Sequence, residues 1–177
     1  MMIDPENASD ELSAVFAEIA AARGGGVGNV FRAMGTNPAT LQGVGAVGAH
    51  FRRSTVLTPE IKELLVLAVA HQRRCDYEWA HHRRAAAQLG FTAEDIAGHL
   101  EDSADPLIGA TVQVARAIAT GAEVESTDLD TIRDAGGDAA VVEVLTMAGY
   151  YVLLAGVISA LDVPLETGVR VPAYPDE

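Results

Sequence analysis

One twenty-residue window of this chain collects most of its reactive side chains: Glu63, then Cys75-Asp76-Tyr77-Glu78-Trp79-Ala80-His81-His82. A thiol beside a carboxylate and an imidazole can act as a nucleophile or a redox group, and a carboxylate paired with an imidazole can move protons. Cys75 is the single cysteine, and Glu78 stands where a second cysteine would complete a CxxC pair. No internal disulfide can close, which excludes dithiol cycling and leaves single-thiol and acid–base chemistry open. Cys75 also reads as an inert buried thiol, because free cysteines pack as small hydrophobes.

Helical spacing is what would bring these groups together. Glu78 and His82 are four apart, hence neighbours on one face, and Cys75 sits one turn before Glu78 at the helix entrance. Free N–H groups and the helix dipole stabilise a thiolate there, so a lowered thiol pKa is expected. Glu63 lies on the preceding helix and faces His82 if the two helices form an antiparallel hairpin. It would then fix the imidazole tautomer and raise its basicity. His81 points about 100° away around the helix and is expected to be exposed. Trp79 reads as packing, and Tyr77 likewise, with a hydroxyl able to reach a pocket. No HExxH or paired CxxC frames Glu63, Cys75, Glu78 and His82, so no metal is expected. His50, His71 and His99 read as isolated.

The chain has 177 residues and a net charge of −13, which suits one domain and argues against nucleic acid or an anionic membrane as partner. The charge is uneven. Between positions 52 and 84 lie seven of the twelve Lys and Arg against four acids, so this stretch is +3 and the remainder −16. Solvated faces and salt bridges explain paired arginines. The functional reading is a field that attracts a small anion, with Arg73, Arg74 and Arg83 as substrate-binding candidates beside Tyr77. A single cysteine suits a reducing compartment, and the acidic N-terminus shows no apolar signal region, so a cytoplasmic location is expected. Ala139–Leu161 is long and apolar enough to imitate a membrane span. Glu143 within it and the lack of flanking basic clusters favour a buried helix in a soluble protein.

All strong periodicity is helical. The pattern predicts a first helix over about 9–23, ended by a glycine run, a short one over 29–34, and a third from Pro38 to Arg53. Thr58-Pro59-Glu60 starts a helix to about Arg74, followed by one over 76–89 that stops at Gly90. Thr92, with Glu94 and Asp95, and Asp105-Pro106 open two more. Ser126 opens a short helix, and Asp138 precedes the long apolar one. The tail 163–177, with three prolines, is expected to wrap the surface or a neighbour. The expectation is an all-α single domain spanning 1–177, with its core over about 38–162.

The pattern Glu63–x11–Cys75-x-Tyr77-Glu78-Trp79-x-x-His82, followed by an alanine-rich turn and Gly90, resembles the core motif of the carboxymuconolactone decarboxylase-like superfamily, which includes alkyl hydroperoxidase D. The resemblance is specific over about 55–100 and looser at Gly149-Tyr150-Tyr151. It implies a helical bundle assembling as a homo-oligomer, a trimer or hexamer, with the cluster near a subunit boundary. It also implies catalytic roles for Glu63, Cys75, Glu78 and His82, without a cofactor. The peroxidase branch has a glutamate at Glu63, cysteines at Cys75 and at the position of Glu78, and a histidine at His82. The decarboxylase branch is similar at Glu78, His82 and Gly90 and needs no thiol. Three functions follow as expectations. The first is acid–base decarboxylation or isomerisation of a small carboxylated lactone or keto acid. The second is reduction of a peroxide by Cys75 alone, resolved by an external thiol, and the third a non-catalytic ligand-binding scaffold.

Overall fold

The computed structural model describes residues 2–176, and every regular element among them is helical. After a 3-10 turn at Pro5–Asn7 come α1 (Asp10–Ala22), α2 (Asn29–Met34), α3 (Pro38–Arg53), α4 (Pro59–Arg73), α5 (Asp76–Gln88), α6 (Ala93–Asp102), α7 (Pro106–Thr120) and α8 (Ser126–Ala160). These form two compact units. One runs to Ser54 and resumes over Gly156–Val169; the other comprises Thr55–Ala155 and the tail from Arg170.

In the first unit, α1 buries Leu12, Val15, Phe16 and Ile19, the face its periodicity predicts, and packs against α3. The approach is close because α3 offers a glycine: a Cβ on Gly45 would lie 2.9 Å from Ile19 Cγ1. Asn29 holds the returning segment, its backbone N–H donating to Glu166 Oε1 at 2.8 Å and its side-chain amide to the Pro164 carbonyl at 3.0 Å.

The second unit is built around α4. Thr58 caps it by accepting from the Ile61 N–H, with Pro59 at the first helical position, as the sequence predicts. Every residue from Leu64 to Ala70 is at most 1% exposed, so this helix is wrapped on all sides, with α5, α6 and α7 against it. Such burial removes the seven side chains from water together, which stabilises the unit. α6 starts with a reciprocal Thr92–Asp95 capping box. In α7, Asp105 accepts from the N–H groups of Leu107 and Ile108. α8 is broken at Gly137 (φ 71°, ψ −176°), immediately before the Asp138 at which the sequence places the start of the apolar helix. Among the described residues α8 is the one helix long and apolar enough to cross a membrane, and half of its most apolar window is buried in the fold.

Candidate active site

A tight joint between α4 and α5 fixes the reactive residues. Arg74 adopts the left-handed conformation (φ 47°, ψ 44°), which lets the Cys75 N–H return to the Ala70 carbonyl at 3.0 Å. This is a Schellman-type closure. The Cys75 carbonyl then accepts from the Trp79 N–H at 2.9 Å and starts α5. Cys75 therefore ends one helix and begins the next, and its position leaves little freedom. Left-handed backbone costs a non-glycine residue about 1 kcal/mol, so Arg74 must be held there by other contacts.

With the joint so closed, α4 and α5 bring Glu63 and His82 together across nineteen positions of sequence. His82 Nδ1 lies 2.6 Å from Glu63 Oε2, and Nε2 lies 3.3 Å from Glu78 Oε2. The imidazole is thus held between two carboxylates, with 13% of its side chain exposed. Tyr151 presents its edge to the ring at 5.1 Å and 89°. The sequence singled out Tyr151 only as part of Gly149-Tyr150-Tyr151, and its helical spacing alone does not reveal this contact. Burial opposes charge on His82, but the Glu63 carboxylate and the hydrogen bonds to Glu63 and Glu78 outweigh it and raise the pKa to about 9. His82 is an imidazolium at neutral pH.

The expectation of an acidified thiol is corrected. Cys75 is 6% exposed, and its pKa is pushed up to about 11. Burial dominates; the N–H groups of Glu78 and Tyr77 work in the expected direction but are outweighed, and the Glu78 and Asp76 carboxylates add to the rise. The helix terminus acts as predicted, and the removal of water from the sulfur acts more strongly.

The arginine candidates separate. Arg73 donates to the Ala119 carbonyl at 3.4 Å, and Arg74 is engaged by Asp176. Arg83 lies over the Trp79 ring at 5.7 Å, and its buried Nε makes no hydrogen bond among the described residues. Burial lowers the Arg83 pKa. Tyr77 is buried and stacks on His81 at 4.4 Å. His81 is therefore half-buried rather than exposed, with Nδ1 2.7 Å from the Tyr77 carbonyl. Nor are the other three histidines isolated: His71 meets Asp176 at 3.2 Å, His99 meets Ser103 at 3.0 Å, and the His50 ring meets Phe51 edge-on at 5.4 Å. The tail folds back onto α5, where the Trp79 indole donates to the Pro172 carbonyl at 3.0 Å.

The chain is similar in part of its sequence and in its fold to known proteins. Residues 38–121 match the carboxymuconolactone decarboxylase family. No curated protein matches the chain. The fold is shared with the alkylhydroperoxidase AhpD core of an uncharacterized peroxidase-related protein from Ralstonia eutropha JMP134. That likeness has a TM-score of 0.76 and 18% identity, covering 94% of this chain and 91% of that one. It is shared too with the debrominase Bmp8 at a TM-score of 0.74 and 17% identity, over 89% and 87% of the two chains. A cysteine-to-alanine variant of that debrominase, in complex with 2,3,4-tribromopyrrole, is similar to the same extent at 16% identity. Residues 38–121 are therefore similar to the carboxymuconolactone decarboxylase family, and the chain has the AhpD-type all-helical fold.

Proposed function

We propose that the cluster is a proton-transfer centre of a cofactor-free enzyme acting on a small carboxylated substrate such as a lactone or keto acid. One observation carries the reading: His82 lies between Glu63 and Glu78 and holds a proton at neutral pH. A protonated imidazole with both nitrogens on carboxylates is a general acid. Nδ1 is locked by the shorter contact, so the Nε2 proton, at 3.3 Å from Glu78, is the one to deliver. In a decarboxylation the bond to the carboxylate breaks, carbon dioxide leaves, and the electron pair delocalises into the adjacent carbonyl as an enolate. His82 then protonates the carbon and recovers its proton from solvent through Glu78. Arg83 is the arginine we assign to the substrate carboxylate, since its Nε makes no hydrogen bond among the described residues while Arg73 and Arg74 are already engaged.

The test is carbon dioxide release or isomerisation across a panel of unsaturated lactones and keto acids. His82→Gln should abolish turnover, while Cys75→Ser should leave it within a few-fold of the native rate. Turnover that survives His82→Gln refutes the reading, and no turnover on any member of the panel favours a non-catalytic binding protein.

A second reading rests on a separate observation. The backbone N–H groups of Glu78 and Tyr77 favour the Cys75 thiolate, and the Glu78 carboxylate that acts on the sulfur also lies 3.3 Å from His82 Nε2, so Glu78 could relay its proton. The thiolate would attack one peroxide oxygen, the O–O bond would break, and the alcohol would leave with a proton from His82. An external thiol would then reduce the sulfenic acid. With a pKa of about 11, roughly one thiol in ten thousand is ionised at pH 7, which disfavours this route unless substrate binding removes the proton. Sulfenic acid formation at Cys75 with an organic hydroperoxide, lost in Cys75→Ser, tests it against the first reading. We also propose self-association through α8, where Val142 and Leu153 are 59% and 46% exposed on one stripe with Gly149. Leu153→Glu should then lower the molar mass in solution.

A further inference from the structure

The C-terminal segment from Pro172 to Asp176 takes no part in proton transfer, yet it grips the joint that carries Cys75 from both sides. On the α5 side, the Tyr174 ring stacks on Trp79 at 4.6 Å and 17°, and its hydroxyl donates to Asp76 Oδ1 at 3.0 Å. Asp76 is the residue after Cys75 and the first of α5. On the α4 side, the Arg74 guanidinium lies over the Tyr174 ring at 4.8 Å and binds both carboxylate oxygens of Asp176. His71 Nε2 meets the same carboxylate at 3.2 Å. Tyr174 and Cys75 are each 6% exposed, and after burial and Asp76 the Cys75 thiol adds to the rise in the Tyr174 phenol's pKa.

We propose that Pro172–Asp176 is a strap that gates Cys75: closed, it shields the thiol, and when it lifts the thiol becomes reachable by small electrophiles. Its two halves differ in strength. The inner half is a buried aromatic stack with a satisfied hydroxyl. The outer half is an ion pair whose partners are 52% and 46% exposed, a kind of contact that is weak in water and screened by salt. Opening therefore begins at Asp176. The joint is biased toward moving once the latch goes, because the left-handed Arg74 is held by the same contacts. The gate does not depend on which chemistry the cluster performs, since it is read from the accessibility of the sulfur.

The experiment is the rate of Cys75 alkylation by iodoacetamide in the full chain, followed by intact mass, with far-UV circular dichroism to confirm folding. Tyr174→Ala should react at least about tenfold faster than the native protein, because local opening no longer has to break the stack. Asp176→Asn should react a few-fold faster and lose most of the salt dependence, whereas Tyr174→Phe should keep the stack and fall between native and Tyr174→Ala. Gly137→Ala, which strains a helix break away from the joint, should react at the native rate. A folded Tyr174→Ala protein alkylated at the native rate overturns the proposal, as does an equal acceleration in Gly137→Ala, which would mean that global opening exposes the thiol. If Tyr174→Ala does not fold, native rates and native salt dependence in both Asp176→Asn and Tyr174→Phe overturn it instead.

Discussion

The charge on His82 makes the protein's stability fall on the alkaline side of neutrality, and the size of the fall can be worked out. Its folded-state pKa is about 9, against an unfolded value of about 6.5. The folded state therefore binds the proton more tightly, so the stabilisation is complete below pH 6.5 and is lost as pH rises through 9. At about 1.4 kcal/mol for each unit, the whole contribution is about 3 kcal/mol. For a chain of this size that corresponds to a drop in Tm of about 6–12 °C. Urea unfolding at a series of pH values between 6 and 9.5 should show the decline in the native protein. The difference from His82→Gln isolates the histidine from other titrations. Proton NMR supplies a direct check: of five imidazoles, the one lost in His82→Gln should titrate near 9. An ordinary pKa for that signal, or the same alkaline slope in His82→Gln, would refute the ion-triad account.

Other perturbations have equally definite outcomes. Glu63→Gln removes the partner at 2.6 Å and should pull the His82 pKa down by more than Glu78→Gln, whose contact is 3.3 Å, as read by the same NMR titration. Gly137→Ala meets no atom within 4 Å, so its effect is backbone strain alone at φ 71°, ψ −176°; urea unfolding should show a loss of about 1–3 kcal/mol. Gly45→Ala is the steric counterpart, placing a Cβ 2.9 Å from Ile19 Cγ1; overpacking of about 1–3 kcal/mol is expected, and Ile19→Val should recover part of it in the double variant.

Helix boundaries were legible because they are written in local chemistry. Thr58-Pro59, Thr92 with Asp95, and Asp105-Pro106 each satisfy N–H groups a few residues away, and the helices begin there. The break before Asp138 was legible as well, although there the Asp138 carboxylate accepts from Arg133 Nε and the break itself lies at Gly137. Glu63 facing His82 was partly legible: the spacing places each on the right face, and only the fold-back of α4 on α5 makes them meet. Charge states were legible in part: the raised basicity of His82 follows from Glu63, but the state of the thiol does not follow from its neighbours. The terminus chemistry at Cys75 predicts a lowered pKa, while the burial that reverses it comes from distant chain. His71 and Asp176 meet across 105 positions, and nothing in the tail's composition says which helix it will cover. Two arginines of the basic island are likewise engaged by groups far along the chain, the Ala119 carbonyl and Asp176.

The position of Glu78 connects these observations. A cysteine there would have put a second sulfur within reach of Cys75, and the joint could have stored an electron pair as a disulfide. A carboxylate at the same place supplies a negative charge instead, which acts on both the Cys75 sulfur and the His82 ring 3.3 Å away. The effect on its two neighbours is opposite in use though alike in sign: the negative charge raises the pKa of the thiol and of the imidazole together. That adds to the burial that keeps the sulfur protonated, and adds to the Glu63 carboxylate that keeps the histidine charged and able to donate. One substitution thus disfavours the thiolate and favours the acid, and the two readings of the site are coupled through a single side chain. The strap is consistent with this balance, since a thiol held protonated and covered is shielded from the electrophiles to which a bare thiolate would be exposed.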